Sequence, residues 1–336
     1  MNTAWPSVSV IIAARPEQTE IRAVHAAQRL DYPRDRLEIL VARGRQPSVQ
    51  RNAALRVARG DLVYFLDDDS EPLPGNLQRA VTAFARDPQL QVIGGPNLCP
   101  EDAPEQEQVF AVVLSSWLAF GPSRARYAPV GPPRYTSEKT LILCNLVARR
   151  QTLLDLGGFD ETLYPNEENA LLDAIQRRGG RLWYDPDFLV YRRPRPDLRR
   201  FARMLLTYGR GRAEQFRRLP TAGSALNFVP PLFVLYLGVL LAGAPLGFWS
   251  AGGWGRWATG PLGLYAVLLL GHAIQLWRRH PWPRVWRAAL LIVAAHCLYG
   301  AGFWRGCFTP LRPPGSKTTR EVIVESVPLE NAEVGA

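Results

Sequence analysis

The chain has 336 residues, 47% of them hydrophobic and 21% charged, which excludes a disordered chain and leaves room for one large domain plus a second part. The net charge of +10 is uneven: residues 1–191 carry 21 basic and 24 acidic side chains, residues 192–218 carry ten Arg against Asp197 and Glu214, and residues 228–308 carry six Arg and no acid. A single soluble domain and a channel filling the whole chain are both excluded, and so is a nucleic-acid-binding body, whose positive charge would sit on the large domain. Cys99, Cys144, Cys297 and Cys307 form no CxxC pair, so neither a disulfide framework nor a zinc site is expected. No basic start precedes an apolar run, so no cleavable signal peptide is expected either.

Val8–Ala13 is a β-rich apolar run. Residues 17–30 space Ile21, Val24, Ala27 and Leu30 as a helix does, and Leu37–Val41 is a second apolar run. Residues 49–59 read as a helix with Ser48 as its cap, and Leu62–Leu66 is a third apolar run. This β-α-β-α-β alternation predicts a parallel sheet with helices on both faces, with ligands beyond the carboxyl ends of the strands.

Asp67, Asp68 and Asp69 follow the third run directly. Three adjacent carboxylates repel one another, and a divalent cation with oxygen preference, Mg²⁺ or Mn²⁺, offsets that repulsion. In an extended or turning chain Asp67 and Asp69 point to one side and Asp68 away; the plainer reading is a solvated acidic turn. A second acidic stretch runs Gly157-Gly158-Phe159-Asp160-Glu161 and then Asn166-Glu167-Glu168-Asn169, with Leu171, Leu172 and Ile175 at helical spacing. Glu167 and Glu168 fall in the first turn of that helix, where acids also complement the helix dipole. Residues 109–120, with Trp117, read as core or as a second apolar contact.

Residues 198–216 place Phe201, Leu205, Tyr208 and Arg212 on one stripe among many Arg, which suits a helix lying in a membrane interface. Three stretches of about 20 residues follow, 228–250, 258–277 and 288–308, each long enough to cross a bilayer core. Tryptophans cluster at their ends as an aromatic belt does. Lys/Arg bias places the large domain and the loop 278–287 in the cytoplasm and, with three spans, the C-terminus outside, on an inner membrane. The third stretch holds His296, several Gly and Arg305 and is the weakest span; lying in the interface or re-entering are its alternatives. The expected layout is a cytosolic domain over 1–218 with a basic interfacial segment over 192–218, a membrane domain over 228–308, and a mobile tail over 309–336.

The ordered set formed by Val8–Ala13 with Ala14-Arg15-Pro16-Glu17, Gln50-Arg51-Asn52, Gly60–Asp69, Gly157–Glu161 and Asn166–Asn169 resembles the family 2 glycosyltransferases over roughly residues 7–218. The resemblance implies the GT-A nucleotide-sugar-binding fold, an α/β, Rossmann-like mixed sheet, followed here by transmembrane helices. Tyr208-Gly209-Arg210-Gly211-Arg212 ahead of a few spans looks like the subgroup that builds exopolysaccharide or lipid-linked glycans, succinoglycan-type transferases included. What it implies is an inverting, non-processive, metal-dependent transfer from a nucleotide-sugar to a polyprenyl-linked saccharide at the membrane lipids. Asp69 and Asp67 match the metal-binding D-x-D. Donor contacts fall on Ala13, Arg15, Glu17, Arg51, Asp67 and Asp68. Glu168 falls at the general-base position, with Glu167 as competitor.

Three departures stand out. Val41-Ala42-Arg43-Gly44-Arg45 lacks the acid that the family usually carries after strand two. Tyr191-Arg192-Arg193 stands where many relatives carry His. The Gln-x-x-Arg-Trp motif of processive synthases is absent. Arg192, Arg210 and Arg212 are candidates to hold diphosphate oxygens bidentately, with lipid headgroups as their alternative partners. The missing strand-two acid motivates an alternative function, a non-catalytic membrane scaffold that keeps the fold. A nucleotidyltransferase is disfavoured, since residues 13–18 hold neither Gly nor Lys.

Overall fold

The computed structural model describes residues 5–163, 165–218, 220, 222–243, 254–311 and 321–329. The chain forms two compact units. One holds residues 1–100, 122–193 and 312–336, the other residues 101–121 and 194–311.

The first unit opens with β1 (Val8–Ala14), α1 (Arg22–Gln28), β2 (Leu37–Arg43), α2 (Pro47–Val57) and β3 (Leu62–Asp67). The predicted alternation is therefore present. The first helix starts later than its apolar spacing suggests, because residues 15–21 form a loop past Pro16. Ser48 is not a cap: Gln46 holds that position, Pro47 starts the helix, and Ser48 is buried within the first turn. Then follow β4 (Glu71–Pro72), α3 (Asn76–Arg86), β5 (Leu90–Gly94) and β6 (Asn97–Leu98).

After a passage through the other unit by way of α4 (Glu105–Leu114) and α5 (Trp117–Phe120), the chain returns to the first. There it forms β7 (Arg134–Thr136), β8 (Asn145–Arg149), α6 (Arg150–Asp155), α7 (Glu167–Arg177), β9 (Arg181–Tyr184) and β10 (Val190–Tyr191). The second unit continues with α8 (Leu198–Arg218), α9 (Val229–Gly243), α10 (Trp254–Trp277) and α11 (Trp282–Phe308). Last comes β11 (Ile323–Val327), back in the first unit.

The main sheet has eight strands in the order β11-β2-β1-β3-β8-β5-β9-β7. It is mixed, not all parallel: β2, β1 and β3 run parallel, β8 opposes β3 and β5, and β11 opposes β2. Alternate residues of each strand face opposite sides. Accordingly Val8, Val10, Ile12, Tyr64 and Leu66 pack on one face, and Ile11, Val63 and Phe65 on the other. Both faces are covered, which explains the uninterrupted apolar runs. A small sheet, β4-β10-β6, stands beside the main one. Its β10 ends at Tyr191, immediately before Arg192.

The stretch 309–336, expected as a mobile tail, contributes a strand. β11 lies along β2 with Ile323 opposite Arg43 and Val327 opposite Ile39, and Glu325 accepts from Arg43 at 2.8 Å.

In the second unit, α9, α10 and α11 are the three helices long and apolar enough to cross a membrane, with mean hydropathy of 2.0, 1.3 and 1.4. Most of the first predicted span is α9; residues 244–250 lie outside the described residues. The stretch 109–120 belongs to this unit, against the expected boundary at 218. Phe110 stacks on Phe201 of α8 with ring centroids 4.2 Å apart. Val109, Phe110 and residues 112–114 are core of the unit that carries the candidate spans, whereas Trp117 is exposed.

Candidate active site

The carboxyl ends of β1, β2 and β3 lie side by side, with Ala13 level with both Ala42 and Asp67. Three consecutive residues of α2 fix what surrounds them. Gln50 donates to Ala14 O at 2.7 Å and to Ala42 O at 2.6 Å, tying the strand ends together. Asn52 accepts from Phe159 N at 2.8 Å and donates to Phe159 O at 2.9 Å, which holds the turn before α7. At that turn Gly158 has φ +80° and abuts Asn52, so a β-carbon is excluded both by conformation and by space. Between them Arg51, almost fully buried, donates to Asp67 Oδ1 at 2.7 Å and to Glu167 Oε1 at 3.3 Å.

On the far side of Asp67 stands Arg192. Its Nη1 is 3.1 Å from Asp67 Oδ2, and its Nε is 2.5 Å from Asp69 Oδ1. The result is a continuous chain of alternating charge: Glu167, Arg51, Asp67, Arg192, Asp69. Asp67 and Asp69 do point to one side, since both meet Arg192. Asp68 carries a raised pKa, from desolvation first and then from the charge on Asp69.

Glu167 and Glu168 open α7 behind Asn166, whose φ of +96° turns the chain into the helix. Glu167 is buried, and its pKa is raised to about 7, by desolvation first and by the neighbouring Glu168 charge second, against Arg51. Among the described residues neither Glu167 Oε2 nor Arg51 Nε finds a hydrogen-bond partner. Glu168 is more open, with its side chain 16% exposed. It accepts from Asn169 Nδ2 at 3.1 Å, and Arg126 Nη1 lies 3.6 Å away. Arg126 also donates to Asn169 Oδ1 and to the carbonyls of Glu138 and Lys139. Cys144 lies next to Arg192, and burial pushes its thiol up to about 12, which disfavours the thiolate.

The sequence-predicted residues divide. Arg51, Asp67, Asp69, Glu167 and Arg192 form one network, with Glu168 adjoining. Arg15 and Glu17 sit in the exposed loop after β1, where Glu17 pairs with Arg45 at 3.2 Å. Arg210 and Arg212 belong to the second unit, on α8, where Arg210 pairs with Glu214 and Arg212 donates to Gln215. Two contributors escaped the sequence reading. Arg126 sits in Ser123-Arg124-Ala125-Arg126, which carries no pattern. Glu325 supplies an acid at the end of β2 from nearly 300 residues away.

Asp67 and Asp69 offer paired carboxylate oxygens, 22% and 42% exposed. That donor set suits a hard divalent cation taking one or two protein carboxylates and completing its shell from a phosphate ligand. Among the described residues no cluster of three or more His, Cys, Asp or Glu could hold a metal without such a ligand.

The mixed α/β sheet, with acids beyond its central strand, has the GT-A fold. Residues 9–139 match the family model described as Glycosyl transferase family 2, and the chain carries a family 2 glycosyltransferase domain. It is 25% identical over 327 residues to the succinoglycan biosynthesis protein ExoA of Rhizobium meliloti, covering 88% of this chain and 93% of that one. It is 31% identical over 163 residues to the pre-mycofactocin glycosyltransferase of Mycobacterium tuberculosis, a match that covers 48% of this chain and 33% of that protein, so the chain spans about a third of that relative's length. The mannosyltransferase PcManGT of Pyrobaculum calidifontis, solved with GDP-mannose and Mn²⁺, shares the fold, with a TM-score of 0.54 and 20% identity over 87% of this chain and 86% of that one.

Proposed function

We propose that this chain is an inverting, non-processive glycosyltransferase that moves one sugar from a nucleotide-sugar to a hydroxyl of a lipid-linked saccharide in surface-glycan synthesis. The observation that carries the reading is the pair Asp67 and Asp69, held by Arg51 and Arg192 at the end of β3, together with Glu168 at the start of α7. Asp69 and Asp67 would hold Mg²⁺ or Mn²⁺, which when bound neutralises the donor diphosphate. Arg192, which pairs with both carboxylates here, would turn its N–H donors to the diphosphate once a cation takes those carboxylates, and the loop of Arg15 and Glu17 would line the nucleotide side, together with Ala13 and Asp68.

Glu168 is the base. Its side chain is partly exposed, with Asn169 and the more distant Arg126 as neighbours, whereas Glu167 is buried and engaged by Arg51. The acceptor oxygen attacks the anomeric carbon, its proton passes to the Glu168 carboxylate, and the bond to the nucleoside diphosphate breaks. Glu167 is a positioning residue that aligns Arg51, and through it Asp67. The three apolar helices and the Arg-rich α8 support a seat on the inner membrane with the catalytic domain facing the cytoplasm, where a polyprenyl-linked acceptor is found.

Calorimetric binding of UDP-, GDP- and dTDP-sugars to detergent-purified protein, with and without Mn²⁺, tests the donor site. Metal-dependent binding of one nucleotide-sugar, lost in Asp69→Ala, is expected. Glu168→Gln should retain that binding while turnover falls by about 100-fold or more. Absence of binding by every donor to folded protein would overturn the reading in favour of a scaffold.

A further inference from the structure

The strand β11 constrains how often the chain crosses a membrane. It is paired with β2 along its whole length. Val324 packs on one core of the sheet, Val327 and Leu329 on the other, and Gln28 donates to Pro328 O. Residues 323–327 therefore lie on the same side of any bilayer as the catalytic sheet. Between α8 and β11 the number of crossings must be even, yet three helices there are long and apolar enough to cross. At least one of them does not.

Contacts within the second unit identify it. α8 and α11 run parallel in close contact: Gly302 abuts Leu206, Gly306 abuts Arg210, and Gly209 abuts Tyr299 and Phe303, each with no room for a β-carbon. The two helices pack backbone to backbone along this line. α8 carries seven Arg. On an insertion scale each would cost about 2.5–3.5 kcal/mol at a bilayer centre, so α8 stays out of the hydrocarbon and holds α11 with it.

Both ends of α11 are tied to polar groups as well. Arg284 donates to both Glu105 oxygens at 3.0 and 2.6 Å, and Arg217 donates to Gly306 O at 3.0 Å and to Thr309 O at 2.5 Å. Glu105 belongs to the short passage 101–121, entered from and returning to the catalytic unit. The contrast with the other two helices is sharp. Only 6% and 11% of the apolar windows of α9 and α10 are buried, against 33% for α11. The buried stripe of α11 runs through Val285, Ala288, Ile292, Ala295 and Phe303. Trp286, Leu290 and Phe308 lie on the opposite side of the helix and are exposed, as is Trp282 at its start, while Gly300 and Trp304 meet Pro230, Pro231 and Val234 at the start of α9.

We infer that only α9 and α10 cross the bilayer, as a hairpin, and that α11 lies in the membrane surface beside α8. Its tryptophan-bearing face meets the headgroup and acyl boundary of the lipid, and the chain after it returns to complete the catalytic sheet. This replaces the three-span layout with its outward C-terminus. The inference stands independently of the reaction catalysed.

Sidedness tests it. In sealed vesicles of known orientation carrying the full chain, with the four native cysteines changed to Ser, single cysteines are introduced as Asp35→Cys, Ala251→Cys, His280→Cys and Glu321→Cys. An impermeant maleimide should label positions 35, 280 and 321 from one side and position 251 from the other. Labelling of 321 from the side of 251 would restore three spans, and labelling of 280 from that side would make α11 a span in place of α10. Should the serine-substituted chain not fold, an epitope following Ala336 in the native chain gives the same readout: antibody access from the side that exposes the catalytic unit supports the inference, and access from the other side overturns it.

Discussion

Arg51 holds together two carboxylates that are distant in sequence, Asp67 at the end of β3 and Glu167 at the start of α7. Removing one partner of a buried ion pair leaves the other charge uncompensated, which is more costly than the pair itself is stabilising. Arg51→Ala should therefore destabilise the protein by about 3 kcal/mol, read as a clear fall in Tm, and weaken donor binding because Asp67 loses its anchor. A Tm equal to that of the native chain would show that Arg51 is not structural. Glu167 carries a distinct signature. Its pKa is raised in the folded state to about 7 from an ordinary 4.5, by desolvation and then by Glu168. The folded state thus holds this proton more tightly than the unfolded one, and stability falls as pH rises from about 4.5 through about 7. Gln cannot ionise and escapes that loss. The Tm of Glu167→Gln relative to the native chain should therefore rise between pH 5 and pH 8, and a difference independent of pH would remove the argument.

At the scale of elements, the motif Gln50-Arg51-Asn52 was legible as a pattern, but its meaning was not. Each of its side chains faces a different structure, respectively the strand ends, the acids and the Gly158 turn. Only the fold brings those three within reach of one helix turn. The acids were legible because three carboxylates beyond an apolar run need a compensating cation. That Arg51 and Arg192 already supply positive charge there was hidden by sequence distance. β11 was missed for another reason. An edge strand needs only period-two alternation, and Glu325 and Ser326 broke the apolar run that marks a buried strand. Its contribution is testable: Val324→Asp and Val327→Asp together set a charge against each face of the sheet edge. A loss of about 1–3 kcal/mol is expected, measured as a lower Tm, together with aggregation through the bared edge of β2. An unchanged Tm with both substitutions would mean that the pairing of β11 contributes nothing to the fold.

For the molecule as a whole, the composition boundary at 218 and the two compact units divide the chain differently. The contrast between an acid-rich N-terminal region and an acid-free stretch over 228–308 is a property of sequence and survives in the two units. What composition cannot show is which helix faces which. An apolar run such as residues 109–113 fits either core, and here it joins α8, stacking Phe110 on Phe201. The units are consequently interleaved, with the chain passing between them near residues 100, 121, 193 and 311. The cytosolic domain expected over 1–218 is thus not a separable piece. A chain ended at Arg218 keeps α4 and α8 but loses α11, which meets α8 through Gly302 and Gly306 and pairs with Glu105 through Arg284. It also loses β11 and so exposes an edge strand. Buried apolar surface on Leu205 and Ala213 would be uncovered on a protein otherwise rich in charge, and contiguous apolar exposure of this kind drives association. Size-exclusion chromatography of that shortened chain without detergent should therefore give aggregate, whereas the full chain in detergent gives a single peak. A monodisperse, cooperatively unfolding 1–218 fragment would show instead that α8 folds without α11, and that its contact with α11 is secondary.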